Sequence, residues 1–365
     1  MQHVRRWRPA GPSLAIIALL GVALVLGAAG AALPRAGFWH SDEGARFLQL
    51  LNLRLGPQGL DTAIRYPGRA VDAALQFVPF HPKQRRVDAT GNIYLQWPIF
   101  LPLLTWPFYQ ALGLAGLYVL PLLGTLGACW GSYRLARTAG APPTAAWLTI
   151  PLLGLATPLG FYSWVFFEHT LAAALVTGAV LLILQGHRRG DRRRLFLAGI
   201  ALGAAIYLRS ELYVLVLALG LVGSGYLVGA RRQRGATGQA QRRALVTLAA
   251  AGLAGLGLAL LPLWGFYSAS EGTPLPQHAT WYFEGAEPPA GTILGLHVPE
   301  IRYLARAGPA VIADFLAGPA TPTGPAIPPW ATAALLLGMV LVLIARPPGT
   351  RLRILDFGFW ILDWG

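Results

Sequence analysis

Long apolar runs constrain this chain more than any other feature. They cover residues 14–33, 114–137, 144–161, 167–185, 195–208, 212–230, 244–264 and 330–345. Within each run the apolar residues are nearly continuous rather than striped, the pattern of helices solvated by lipid. Charge usage agrees: only 12% of the 365 residues are Asp, Glu, Lys or Arg, about half of the roughly 25% usual in soluble domains. So few charges could not cover the surface of a soluble fold. The expected fold is an all-α polytopic membrane bundle of about eight transmembrane helices, read as a single domain over 1–365.

The formal net charge of +14 raises the question of nucleic acid, and the placement of the charges argues against it. Arginines gather in short segments between apolar runs, as Arg188, Arg189, Arg192, Arg193 and Arg194, and as Arg231, Arg232, Arg234, Arg242 and Arg243. Such clusters hold loops on the cytoplasmic side of a membrane. The expected partners are membrane lipids, not nucleic acid. Cys129 is the only cysteine, so the chain can form no internal disulfide. Lys83 is the only lysine among many arginines, a bias that fits a GC-rich bacterial genome and places the chain in a bacterial plasma membrane.

Arg5, Arg6 and Arg8 precede the first run, which is long enough to span and lacks a clear cleavage site. It reads as an uncleaved first helix with a cytoplasmic N-terminus. Residues 97–112 carry Pro98, Pro102 and Pro107 beside Trp97 and Trp106. Prolines interrupt the helical ladder and tryptophans favour the interface. The basic segments all fall on one side only if 97–112 does not fully cross, so a re-entrant or juxtamembrane element is expected there. Two large extracytoplasmic segments follow from this topology, 34–113 and 265–329. The apolar stretch 354–364 is too short to span, and it suggests that the chain is a fragment of a longer one.

Three places could carry chemistry. Ser41-Asp42-Glu43 reads as an N-cap with two acids in the first helical turn. In the helix that follows, Asp42, Arg46 and Gln49 share one face, with Phe47, Leu51 and Leu55 roughly opposite. The plainer account is that the two acids favour the helix dipole and pair with Arg46. Glu168-His169 falls where an outward crossing turns back. Ionisable groups at membrane depth are expensive and usually functional, although two helix ends could be satisfied by the same pair. Arg209-Ser210-Glu211 lies between two apolar runs, where the rule of positive inner loops does not account for Arg209. A phosphate would compensate it, because guanidinium fits phosphate oxygens in a forked geometry; a local ion pair with Glu211 or Glu168 would do so too. His278, Glu284, His297 and Glu300 are weaker candidates. No phosphate-binding loop, dinucleotide fingerprint, nucleophile elbow or zinc-protease helix is present.

The order of these pieces resembles the GT-C superfamily of membrane glycosyltransferases, nearest to its protein mannosyltransferase and aminoarabinose transferase branch (family 39-like). The resemblance rests on Asp42-Glu43 after the first helix, the Pro-rich segment from Trp97-Pro98 to Gly113, and Tyr133-x-x-Ala136-Arg137. It continues through Thr157-Pro158, Tyr162-Ser163 and Glu168-His169 to Arg209. It covers about residues 1–265. The Pro-rich segment lacks the tandem Pro-Pro common in that branch, and family members usually continue through more helices. The resemblance implies inverting transfer of a hexosyl or pentosyl group from a polyprenyl-phosphate-linked sugar to a protein, lipid or glycan hydroxyl at the outer face. On that pattern Asp42 acts as base and Glu43 orients the acceptor. Arg209 and Arg46 bind the donor phosphate, while Glu168 and His169 hold substrate or a divalent metal ion, the one cofactor implied. The competing class is a transporter or lipid-linked sugar flippase without transfer activity.

Overall fold

The computed structural model describes residues 12–271, apart from 34–36, 57–58, 79, 81–83, 89, 96 and 233–235, together with four two-residue strands beyond them. The chain divides into two compact units, Met1–Glu287 and Pro288–Gly365. In the second unit the described residues form two antiparallel pairings. Thr292–Ile293 pairs with Leu296–His297, and Ala320–Thr321 with Gly324–Pro325. The expected span 330–345, the stretch 354–364, most of 265–329, and His278, Glu284 and Glu300 lie outside the described residues.

The first unit is mostly helical. Among the described residues, four stretches are long and apolar enough to cross a membrane: Ser13–Ala32, Phe100–Thr138, His169–Arg189 and Arg243–Ala269. Helix α1 (Pro12–Ala32) has 21 residues and no charge, a length of about 31 Å against a hydrocarbon core of about 30 Å. It buries Ala15, Val22 and Leu26 against Cys129 and Ile150, while Ile17, Leu20 and Leu24 lie exposed. Large apolar side chains on the outer surface are what a lipid-facing helix requires.

Helix α2 (Ser41–Asn52) follows. Two small hairpins then pair β1 (Arg54–Gly56) with β2 (Gly59–Asp61), and β3 (Arg85–Val87) with β4 (Ile93–Leu95). Their core of Ile64, Leu75, Val78, Phe80, Ile93 and Leu95 closes on Ala45 of α2. Asp72 fixes the intervening loop by accepting Gln76 N–H and Phe77 N–H, both at 2.8 Å, and the Tyr66 hydroxyl at 3.2 Å. Burial pushes its carboxyl up, but these donors and Arg85 hold it below the ordinary value. The Asp88 carboxyl is held at about 2, chiefly by the Thr90 hydroxyl.

The element expected over 97–112 is helix α3 (Phe100–Leu112), with Pro107 inside it. Its 13 residues reach about 20 Å, short of a full crossing. It ends at Gly113, whose φ of +58° is a left-handed backbone that a side chain disfavours. A 3₁₀ turn (Gly113–Tyr118) leads into α4 (Val119–Thr138).

The run 144–161, expected as one span, is instead three short helices: α5 (Pro143–Ala146), α6 (Thr149–Leu155) and α7 (Pro158–Tyr162). Pro158 has no N–H for a continuing ladder, and Thr157 starts α7 by accepting Leu159 N–H on its hydroxyl at 3.2 Å. The chain then enters α8 (His169–Arg189), turns at Gly190 (φ +66°), and re-enters the bundle as α9 (Arg192–Leu208). Asp191 caps α9 by accepting Arg193 N–H and Arg194 N–H at 3.0 and 3.3 Å. Helices α10 (Leu212–Arg232) and α11 (Ala236–Glu271) complete the unit.

Glycines set the tightest helix contacts. A Cβ added at Gly124 of α4 would lie 2.5 Å from the Leu171 nitrogen of α8, whereas one added at Gly27 of α1 meets nothing within 4 Å. Gly124→Ala is therefore expected to lower stability by about 1–3 kcal/mol, because helix backbone rather than a pliable side chain must move. Gly27→Ala should stay within about 1 kcal/mol of the parent or gain slightly. Thermal unfolding in detergent micelles measures both. Equal losses would remove the close approach of α4 and α8 as a determinant.

Candidate functional site

Helix α2 starts one residue earlier in its capping than the sequence suggests. The N-cap is His40, not Ser41. His40 Nδ1 accepts Asp42 N–H at 3.1 Å, and Glu43 reaches back to accept Trp39 N–H at 2.8 Å and His40 N–H at 3.1 Å. This reciprocal arrangement satisfies donors that a helix start would otherwise leave open. The other Glu43 oxygen accepts Phe166 N–H at 2.7 Å, and the side chain is fully buried. Burial raises the Glu43 carboxyl above its ordinary value against the pull of the three N–H donors. Glu43, expected to orient an acceptor, instead ties α2 to the segment before α8.

The polar face of α2 is turned inward. Arg46 and Gln49 are buried, Leu51 is exposed, and Leu55 lies in β1. Arg46 Nη2 contacts both Glu168 oxygens at 2.9 Å, with the two side chains 4% and 8% exposed. Its Nη1 donates to Asp42 O at 3.3 Å, and its guanidinium carbon lies 4.5 Å over the Phe167 ring. Buried charges need this kind of mutual satisfaction. Arg46 is thus paired with Glu168, and its Nε is buried without a hydrogen-bond partner among the described residues. Gln49 Nε2 donates to Trp97 O at 2.9 Å.

His169 joins the same cluster from the first residue of α8. Its ring stacks on Tyr162 at 4.7 Å and 5°, and on Phe167 at 5.2 Å and 22°. Arg209 Nη1 donates to His169 Nε2, which puts the imidazole proton on Nδ1. That atom is buried without a hydrogen-bond partner among the described residues. Arg209 Nη2 also pairs with Glu211 at 2.9 Å, and Arg209 remains 29% exposed. Asp42 is 26% exposed; its carboxylate lies 3.3 Å from His40 Nδ1 and 3.5 Å from Ser41 Oγ.

The six residues given roles by the resemblance, Asp42, Glu43, Arg46, Glu168, His169 and Arg209, belong to one connected cluster but divide by exposure, while the weaker candidate His297 lies in a strand of the second unit. Glu43, Arg46 and Glu168 form a buried scaffold, while Asp42 and Arg209, at either end, are part-exposed. The ends are linked by His40, Tyr162 and Phe167; Tyr162 was named only as part of the resemblance, and His40 and Phe167 were missed. Their signal was the density of aromatic residues around Glu168 and a polar ring immediately before Ser41. A cleft of about 160 Å³ adjoins this region, walled by Gly27 and Gly30 of α1, Tyr118 and Trp164, with Trp39 among its lining residues.

Glu168 and His169 do not suit a divalent ion as they stand. The carboxylate of Glu168 faces the Arg46 guanidinium, and His169 Nε2 faces that of Arg209. Two cations occupy the positions a third would need. Among the described residues no three His, Cys, Asp or Glu side chains gather as a metal site. Compared with known proteins, the chain matches no protein-family model, no curated protein sequence and no solved structure.

Proposed function

We propose that this chain is a membrane glycosyltransferase of GT-C-like architecture, with about eight spans and its site at the outer face of a bacterial plasma membrane. It moves a sugar from a polyprenyl-phosphate donor to an acceptor hydroxyl. One observation carries this reading: a part-exposed carboxylate and a part-exposed guanidinium stand at the two ends of one packed cluster. The path runs from Asp42 to His40 at 3.3 Å, from His40 to Phe167 at 5.8 Å, and from Phe167 to His169 at 5.2 Å, ending at Arg209.

Glycosyl transfer with inversion needs these two parts. Asp42 takes the proton of the acceptor hydroxyl as its oxygen bonds to the anomeric carbon. The bond from that carbon to the phosphate oxygen breaks, and the departing phosphate carries away the electron pair. Arg209 stabilises that phosphate by charge-assisted hydrogen bonds. The apolar cleft beside the cluster supports a lipid-linked donor, since a tail held in hydrocarbon restricts the reacting centre to membrane level. No step needs a metal ion.

Transfer by membranes containing the protein, supplied with a panel of polyprenyl-phosphate sugars, tests this function. Arg209→Gln should lower transfer by about 10- to 100-fold, the value of losing a hydrogen bond to a charged group. The loss should fall partly on KM for the donor. An unchanged rate would remove Arg209 from the phosphate. The interrupted helices α5–α7 favour a second reading as a flippase, because broken helices accompany transport sites. Movement of a labelled lipid between leaflets without transfer would select it.

A further inference from the structure

Histidine is an uncommon N-cap, and His40 is placed where capping and ion pairing compete for one atom. Its Nδ1 lies 3.1 Å from Asp42 N and 3.3 Å from Asp42 Oδ1. A neutral ring with its proton on Nε2 accepts Asp42 N–H through the Nδ1 lone pair and caps α2. A protonated ring carries hydrogen on Nδ1, cannot accept that N–H, and has Asp42 Oδ1 as the acceptor at hand. One proton therefore exchanges a cap for an ion pair.

We propose that His40 is a positioning residue that sets whether the Asp42 carboxylate is free. This rests on Asp42 acting as the base in the proposed transfer. With His40 neutral, only Ser41 Oγ, at 3.5 Å, stands as a donor to the Asp42 carboxylate among the described side chains. It can then take the proton of an acceptor hydroxyl. With His40 protonated, the imidazolium holds Asp42 Oδ1, and the carboxylate loses basicity. The ring is 59% exposed on the side-chain scale, so solvent protons reach it.

The charged groups around His40 do not replace this control. On its own helix the other carboxylate is Glu43, which accepts the His40 N–H and lies buried. Across the ring stands Phe167 at 5.8 Å, edge to face. Behind Phe167 lie the Arg46 guanidinium, paired with Glu168, and the His169 ring. Asp42 is thus the only carboxylate within ion-pairing distance of the imidazole among the described residues.

The test compares the pH profile of transfer for the parent protein and for His40→Asn. Asparagine is a preferred N-cap and does not titrate. The parent rate is expected to fall at least tenfold when the pH is lowered from 8 to 5.5. The His40→Asn rate is expected to be flat there, since asparagine has no proton with which to exchange the cap for an ion pair. The same fall in His40→Asn, or no fall in the parent, would overturn the proposal. A second arm needs no transfer. Imidazole ¹⁵N NMR in micelles, with the His40 signals assigned by their loss in His40→Asn, should show an unprotonated Nδ1 at pH 8. A protonated Nδ1 at pH 8 would overturn the proposal whatever the protein transfers, while an unprotonated one in a protein without transfer activity would locate the failure in the functional reading.

Discussion

Replacing Asp42 by Asn is expected to lower sugar transfer by about 100- to 10,000-fold, the usual range for a positioned acid or base. The fold should hardly notice. Asp42 lies at the exposed start of α2, and its carboxylate contacts only Ser41 and His40 among the described residues. Asparagine keeps the size and loses a charge that favours a helix N-terminus by about 0.3–1 kcal/mol. Initial rates in membranes and thermal unfolding in micelles separate the two effects. A variant that transfers at the parent rate would take the base role away from Asp42. A variant that neither transfers nor folds would show that the side chain supports the structure instead.

Arg46→Met is expected to destabilise the protein by about 3–5 kcal/mol, because it leaves the buried Glu168 carboxylate uncompensated. Glu168→Leu should cost a similar amount by stranding the guanidinium. Combining the two should recover most of the loss, since an apolar pair of similar volume needs no partner in a buried setting. Geometry defines the pair: both carboxylate oxygens lie 2.9 Å from Arg46 Nη2, and both side chains are more than nine-tenths buried. Unfolding midpoints of the two single variants and the double variant form the cycle. Additive losses would mean that the two residues act independently, and that the contact contributes nothing of its own.

Continuous helices were easy to read in the sequence. The run 14–33 became α1 and the run 167–185 became α8 because nothing within either interrupts the ladder, and Gly190 ends the second. The run 144–161 has the same apolar content, but Pro151 and Pro158 divide it. Counting apolar residues gave those prolines too little weight. The start of α2 was misplaced by one residue because serine is the commoner cap. The reciprocal partner three residues on is the better guide: from His40 that position is Glu43, and from Ser41 it is Gly44.

The inward turn of α2 was harder to foresee. A surface helix would place Leu51 and Phe47 on the apolar side and its charges in water. Here Arg46 and Gln49 face the interior because Glu168 and the Trp97 carbonyl, 122 and 48 residues further along the chain, supply their partners. Local periodicity carries no record of such distant acceptors. The grouping of Asp42, Glu43, Arg46, Glu168, His169 and Arg209 was legible from chemistry, since charges in an apolar chain must find one another. Their division into a buried scaffold and part-exposed ends was not, because exposure depends on the packing of the surrounding helices.

The glycine contact between α4 and α8 bears on which part of the cluster is held fast. Without a side chain at Gly124, the α4 backbone lies against Leu171, and the Thr170 hydroxyl reaches the Pro121 carbonyl at 2.8 Å. The first turn of α8 is clamped there, so Glu168 and His169 rest on an anvil rather than a hinge. Glu43 and Arg46 fasten α2 to that same fixed turn, through Phe166 N–H and the Glu168 carboxylate, so the start of α2 shares its footing.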